Sequence, residues 1–424
     1  MPIAAVPAYL GKDFKDASPG MRFSMYLKLW GINRRTQAVL WQTHDLDYEV
    51  RGQNQREREI KCENKVPALT EAKCLTNTDK KVMSALSHRQ QQVFNTVASD
   101  EATLRLDARA TAPFTTGLGN EHPLENGFAF LNPYGLPYLP GSGVKGVLRQ
   151  SARELASGAW GDAHGWSVEE HYEVRVANET TVLSMLDVLF GLESEGGDTT
   201  HIRGALFFWD VIPQIEDDSL MVEVMTPHQS HYYQRRSDPK SGGSTNPHDS
   251  GQPTPISFLT VPPGSGFRFF VTCDTAHISR FAPGLLRAAP GADRSRWQML
   301  MTAAFEHAFQ WLGFGAKTAV GYGAMAQLSA EEVAAARATA EQVARKCGWV
   351  DETLKRLVGE RKGKNENEAL RGKPLAEAWR GLPDASLKEK ALVDIKARWQ
   401  AEGWWENPPG KAARQAKTIY DDTK

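Results

Sequence analysis

The sequence predicts an α+β fold, and three observations predict it. Short apolar runs with strand character stand at residues 103–111 (TLRLDARAT), 204–212 (GALFFWDVI), 220–225 and 266–273 (GFRFFVTC). Helical patterns lie among them: one opens near Ser142, and 297–312 (WQMLMTAAFEHAFQWL) sets apolar residues at 297, 300, 301, 304, 305, 308, 309 and 312 along one stripe. Glycine-rich loops join the two kinds of run. Two strand–helix halves with antiparallel partners fit a ferredoxin-like (RRM-like) βαββαβ core over residues 101–328.

Residues 1–100 read as an ordered N-terminal extension. Phe23, Met25, Leu27 and Leu29 alternate with polar residues across 21–29, the pattern of a half-buried strand. Residues 51–65 are dense in charge and read as loop. Residues 78–98 read as a helix capped by Thr78, with Val82, Met83, Leu86, Val93, Phe94 and Val97 as its apolar side. Its Lys80, Lys81, His88 and Arg89 read as a solvated face.

The strand at 103–111 directs Leu104, Leu106 and Ala108 to one side and enters a glycine turn at 117–119. Gly313 ends the helix of 297–312, and 319–328 reads as a strand. From Ser329 the composition turns to Ala, Glu, Lys and Arg, giving a helical C-terminal extension over 329–424. Ser329 caps its first helix, 386–399 forms another, and 359–373 reads as a charged linker. Trp379, Trp399, Trp404 and Trp405 supply a compact core there in preference to nucleic-acid stacking.

Composition bounds the function without selecting it. The chain has 424 residues, with 50 Lys and Arg against 51 Asp and Glu for a formal net charge of −1. A free-standing nucleic-acid binder is usually more basic, so any such role needs a local cationic stripe and favours a subunit. Cys62, Cys74, Cys273 and Cys347 form no CxxC pair and no metal-ligand spacing, which suits reduced thiols in a cytoplasm. The N-terminus has no signal-peptide pattern, and no apolar run is long enough to span a membrane.

The most informative stretch is 117–153, GLGNEHPLENGFAFLNPYGLPYLPGSGVKGVLRQSAR. Its PGSGVKG loop enters a helix, placing the N–H groups of Gly141, Ser142 and Gly143 at a helix N-terminus suited to a phosphate. Lys145, Arg149 and Arg153 follow at helical spacing and form a cationic ridge on one face. Gly141, Gly143 and Gly146 also spell GxGxxG, but Pro137 and Pro140 break the approach that a dinucleotide fold builds as a buried strand. A P-loop is excluded because Gly146, not Ser or Thr, follows Lys145. No nucleotide cofactor is expected.

A second glycine-rich loop, GFGAKTAVGYG at 313–323, carries Lys317, Thr318 and Tyr322. Two such loops suit close backbone approach to a phosphodiester chain. Residues 226–256 form a long insert, poor in aliphatics, whose Tyr232, Tyr233, Arg235, Arg236 and Lys240 mix rings with charge. That mixture suits single-stranded nucleic acid, stacking bases and pairing with phosphates.

These residues carry a family resemblance. The GLGN turn, the YGLPYLPGSGVKGVLR block and the late GFGAKTAVGYG loop resemble the RAMP superfamily of CRISPR proteins. Within it, their order is similar to the sixth subunit of the Cmr complex, the type III-B RNA-guided effector. The resemblance covers residues 104–328 and no more.

It implies the ferredoxin-like RAMP fold, with 226–256 as a thumb-like insertion. It also implies a non-catalytic structural role in antiviral defence, near the 3′ end of the guide RNA. The implied partners are guide RNA, target RNA, the repeated backbone subunit and the small helical subunit. Asn120, His122, Gly141, Ser142, Gly143, Lys145, Arg149 and Arg153 would contact RNA, with Tyr232, Tyr233, Arg235, Arg236, Lys317, Thr318 and Tyr322.

Catalysis has little sequence support. Asp107, Glu121, His122 and Glu125 are the acids and bases near the glycine turn, and His122 alone is placed to act as a base. In the resembling family, target cleavage is expected from an aspartate of the backbone subunit, and NEHPLE at 120–125 offers none. The alternative function is a metal-independent RAMP endoribonuclease that processes repeat RNA, acting through His122. His228 and His231 lack further ligands at usable spacing, so no metal is expected.

Overall fold

The computed structural model describes residues 11, 13–51, 56–97, 99–176, 179–192, 201–215, 217, 219–227, 232, 246, 255–288, 293–335 and 348–421. The chain divides into two compact units, 1–328 and 329–424.

The first unit is built on β1 (Thr103–Ala110), α1 (Gly141–Ala156), β2 (Leu206–Phe208), β3 (Gly266–Cys273), α2 (Arg296–His307) and β4 (Met325–Gln327). The strands form a four-stranded antiparallel sheet in the order β2-β3-β1-β4. Strand β1 alternates as its sequence dictates, with Leu104, Leu106, Ala108 and Ala110 buried and Arg109 exposed. Phe267, Phe269, Val271 and Cys273 of β3 are buried at alternate positions.

Helices α1 and α2 pack on each other through small residues. Ala152 and Ala304 are fully buried, and the Ser151 hydroxyl donates to the Ala304 carbonyl at 2.7 Å. A Ser295–Gln298 capping box starts α2, and the Gln298 amide donates to the Asp100 and Thr103 carbonyls, each at 2.7 Å. That ties the head of α2 to the entry of β1. A π-turn, Ala308–Leu312, ends α2 before Gly313.

The first hundred residues join the same hydrophobic core rather than standing apart. Phe23, Leu29, Leu69 and Met83 pack into it with the sheet residues. The predicted strand at 21–29 is not formed. Pro19–Ser24 is a short helix, because Ser18 caps it and Pro19 presets its first turn.

The charged stretch read as loop is also different. His44–Arg51 and Arg56–Glu63 pair as an antiparallel hairpin whose register sets Glu49 opposite Arg58. Opposite charges across a ladder stabilise it, so charge density did not mean loop. The predicted helix spans Asn77–Val97, but Thr76 and Asp79 cap it reciprocally in place of Thr78. Val93 on its apolar side is exposed, while Met83 and Phe94 are buried.

Two further predicted strands are shorter than expected. Only Leu206–Phe208 of 204–212 is strand, although residues beyond it still bridge β3 through Gln214 and Gly266. Of 319–328, only Met325–Gln327 pairs, because Gly321 and Gly323 hold positive φ and Thr318–Val320 coils.

The second unit is helical: Gly348–Gly359, Glu366–Leu370, Lys373–Arg380, Ala385–Ala401 and Gly410–Asp421. The segment 359–373 carries the helix Glu366–Leu370, capped by Asn365, where sequence read only linker. Trp379 and Trp399 lie at the centre of this unit's core, and Trp404 and Trp405 pack against it. Among the described residues, no helix is long and apolar enough to cross a membrane.

Candidate nucleic-acid interface

Three segments interlock at one end of the sheet, where β1 ends and β3 and β4 begin. The first is the chain leaving β1 toward the glycine turn. The second is the hairpin Met221–Met225/Ile256–Thr260, which forms the base of the 226–256 insert. The third is the loop 313–323.

Main-chain bonds hold the three together. The Ala316 N–H donates to the Thr115 carbonyl at 2.8 Å, and the Gly323 N–H donates to Pro113 at 2.8 Å. The buried Thr115 hydroxyl donates to the Leu259 carbonyl at 2.9 Å. Phe114 and Val261 exchange main-chain bonds at 2.9 and 2.7 Å.

The glycines of GFGAKTAVGYG serve this joint. A Cβ on Gly315 would lie 2.2 Å from the Thr115 carbonyl oxygen, and one on Gly323 would lie 1.8 Å from that of Phe314. Phe314 itself is fully buried against Phe269, Phe305 and Phe309. Part of the glycine pattern read as room for a phosphodiester therefore answers to protein packing. A Cβ on Gly321 would meet nothing within 4 Å, so the outer side of the loop is open there.

Lys317 sits in that outer part, in a left-handed conformation. Its ammonium lies 5.1 Å from the centre of the Phe258 ring and 3.5 Å from Met225 Sδ. The Tyr322 hydroxyl donates to Glu223 at 3.4 Å, and its ring lies 5.7 Å from Phe258. Burial, then the Glu223 charge, pushes the Tyr322 phenol above its usual range. Lys317 and Tyr322 are thus brought together on the base of the insert, while the Thr318 methyl lies toward Gly313.

Within the insert, Tyr232 is described and half exposed. Tyr233, Arg235 and Arg236, with His228 and His231, lie outside the described residues.

The α1 end differs from its prediction. The Gly141 N–H donates to Asp210 Oδ1 at 2.7 Å, so a carboxylate already occupies the anion position of the loop. The Gly143 and Val144 N–H groups both reach the Pro140 carbonyl, at 2.9 and 3.1 Å. Ser142 and Gly143 are exposed, and a Cβ on Gly146 would meet nothing within 4 Å, so this face of the helix lies open.

The ridge along α1 is also less uniform than its spacing implied. Arg149 turns toward Asp187, 3.9 Å away, with its side chain 13% exposed, while Arg153 is exposed and Lys145 intermediate. Successive i+4 steps drift by about 40° around a helix, which carries Lys145 and Arg153 off a common line with Arg149.

His122 is held from both ring nitrogens. Nδ1 accepts from the Leu124 N–H at 3.2 Å, so Nε2–H donates to the Phe23 carbonyl at 3.0 Å. The ring stacks on Phe23, with centroids 3.8 Å apart, and burial lowers its basicity. This geometry fits a packing group that fastens the glycine turn to the N-terminal region, not a base poised over a 2′-hydroxyl. Asn120 is exposed in that turn, its N–H bonded to Gly117 at 3.0 Å.

Asp107 is engaged by two arginines. Arg105 donates to Oδ2 at 2.8 Å and Arg268 to Oδ1 at 2.7 Å. Among the described residues, no three His, Cys, Asp or Glu side chains are grouped to hold a metal ion.

Sequence reasoning passed over the polar side of the sheet. Arg105, Asp107 and Arg109 of β1 alternate with its buried residues, and Arg268 of β3 pairs across to Asp107. Three cations against one carboxylate leave this face net positive beside the interlocked loops. The signal was present in TLRLDARAT and GFRFFVTC, whose second faces carry these arginines.

The family model described as the RAMP superfamily matches residues 107–326. The CRISPR system Cmr subunit Cmr6 of Pyrococcus furiosus is 27% identical over 248 residues, half of this chain. The match spans 64% of that relative, slightly less than two thirds of its length. Among solved structures, the type III-B Cmr-beta complex bound to cognate target RNA includes a chain of 16% identity, with a TM-score of 0.38. That alignment covers 62% of this chain and 71% of that one. The crystal structure of Cmr6 from Pyrococcus furiosus is 23% identical with a TM-score of 0.26, covering 55% of this chain and all of that one. With its mixed helix-and-strand core inside the matched span, the chain belongs to the RAMP superfamily.

Proposed function

We propose that this chain is an RNA-binding structural subunit of a type III-B CRISPR effector complex. It caps the 3′-end region of the guide RNA, contacts the guide–target duplex and leaves cleavage to another subunit. Its partners are the repeated backbone subunit and the small helical subunit, in the cytoplasm. The likeness to Cmr6 over half the chain supports this assembly. The β1-α1-β2-β3-α2-β4 order and the β2-β3-β1-β4 sheet support reading the core as ferredoxin-like.

One observation carries the RNA-binding role. The base of the 226–256 insert, the Lys317 loop and the exit from β1 are bolted together at one end of the sheet, beside Arg109 and Arg268. A thumb rooted there would project its tyrosines and arginines from a rigid cationic base. The exposed side of α1, with Ser142, Lys145 and Arg153, would extend the contact along a strand. The engaged nitrogens of His122 favour this role over repeat-RNA processing.

Co-expression with the genomic neighbours, purification through a tag on this chain and sequencing of the bound RNA tests the proposal. Short RNAs sharing a common 5′ repeat tag, eluting with other RAMP subunits, are the expected result. An RNA-free monomer from that co-expression would overturn it.

A further inference from the structure

A second cationic site lies at the other end of the sheet. Strand β3 separates the two ends by about 23 Å, taking ~3.3 Å per residue from Gly266 to Cys273. Just beyond Cys273, residues of the helix Thr275–Phe281 line an open cavity of about 440 Å³. Its walls include His201, Arg203, Asp274, His277, Arg280 and Phe281.

The polar groups there are unevenly engaged. Asp274, the single carboxylate in this wall, is fully used: Oδ1 accepts the His277 N–H at 3.0 Å and Oδ2 accepts Arg203 Nη2 at 2.5 Å. Arg203 keeps its remaining donors, since a guanidinium carries five. Arg280 is exposed, stands over the Phe281 ring at 5.1 Å and has no carboxylate in salt-bridge range among the described residues. His277 Nε2 is buried without a hydrogen-bond partner.

Two guanidinium groups against one carboxylate leave this wall net positive, a lining suited to an anion. Phe207 adds an apolar element. It lies on β2, is 44% exposed, and holds the Arg203 guanidinium 5.3 Å from its ring centre.

We propose that this cavity binds the phosphate of a nucleotide, with Arg203 and Arg280 on the phosphate oxygens and the Phe207 ring beside the base. The ligand is either the phosphorylated end of an RNA or a free nucleotide. The site stands apart from the RNA interface proposed above and does not depend on it.

Calorimetric titration of the full chain with AMP, adenosine and a trinucleotide RNA carrying either a 5′-phosphate or a 5′-hydroxyl tests the proposal. The expected result is phosphate-dependent binding, at least about tenfold tighter for the phosphorylated member of a pair, lost in Arg280→Gln and in Arg203→Gln. Arg280 is exposed, and an unchanged circular dichroism spectrum of its variant would show an intact fold. Binding of AMP alone would identify a free nucleotide, and binding of the phosphorylated trinucleotide alone would identify an RNA end. Equal binding of phosphorylated and unphosphorylated members, no binding of any, or full binding by Arg280→Gln would each overturn the proposal.

Discussion

Replacing Arg109, Arg268 and Lys317 together by alanine removes the cations that stand at the interlocked end of the sheet. Each phosphate contact to a single strand contributes about 0.7 to the slope of log K against log salt. Arg109 is exposed, and Lys317 has no carboxylate partner among the described residues, so both count in full. Arg268 shares Asp107 with Arg105 and counts for less. The slope should therefore fall by between about 1.4 and 2.1, two or three contacts' worth.

At ~0.1 M salt that is a loss of roughly 25- to 125-fold, or about 2–3 kcal/mol, extrapolating each line to 1 M. Fluorescence anisotropy of a labelled single-stranded RNA, titrated at several KCl concentrations, reads both quantities. An unchanged slope in the triple variant, with its fold intact, would refute the placement of RNA at this end. A weaker affinity at constant slope would refute it equally, because lost phosphate contacts must release fewer counterions.

Three further outcomes follow from particular residues. Gly323→Ala should destabilise the first unit by at least about 1–3 kcal/mol in urea unfolding, since its φ of 72° is strained for alanine and its Cβ would meet the Phe314 carbonyl. Wild-type stability in that variant would contradict the joint. Trp399→Ala should cost about 3–5 kcal/mol in the second unit, because the indole is fully buried, contacts Tyr420 and donates to the Leu370 carbonyl at 3.1 Å; an unchanged unfolding transition there would refute its central place. His122 binds a proton less readily folded than unfolded, so its contribution is complete above pH 6.5 and declines as pH falls through that value. His122→Gln should flatten this part of the stability–pH curve, and an unaltered slope would show that the ring is not buried as described.

Sequence reading reached the main elements where periodicity was strong and local. Gly266–Cys273 and Gly141–Ala156 lie where the patterns put them, because alternating Phe and Val, or apolar residues every third or fourth position, leave one orientation to the core. It failed where a side chain from elsewhere decides the outcome. Asp210, some seventy residues after Gly141, fills the anion position at the head of α1, and no local pattern announces it. Asp187 draws Arg149 off its ridge in the same way. The N-terminal hairpin was missed because charge was read as solvation, while opposite charges across a ladder permit pairing. The GFG of 313–315 was legible as a motif but not as a joint, since Thr115 becomes its neighbour only in three dimensions.

The fate of the sheet's polar face bears on the proposed RNA-binding role. In an RRM, aromatic rings on central strands stack bases on the open sheet. Here Phe270, on central strand β3, is buried under Phe94 of the helix Asn77–Val97, with ring centroids 4.6 Å apart and Trp209 edge-on to Phe94 at 5.9 Å. The Gln90 amide reinforces that cover by donating to the Asp210 carbonyl at 2.8 Å. The N-terminal helix therefore occupies the position where a base would stack. What it leaves is the arginine-bearing part of the sheet and the loops at its end, groups that attract phosphates rather than read bases. If the proposed role holds, a subunit that accepts any guide sequence would gain from that division, since base identity would be left to pairing between guide and target. Stacking on the central strands is closed off in this way, and in the proposed assembly the tyrosines of the insert would supply it at this end.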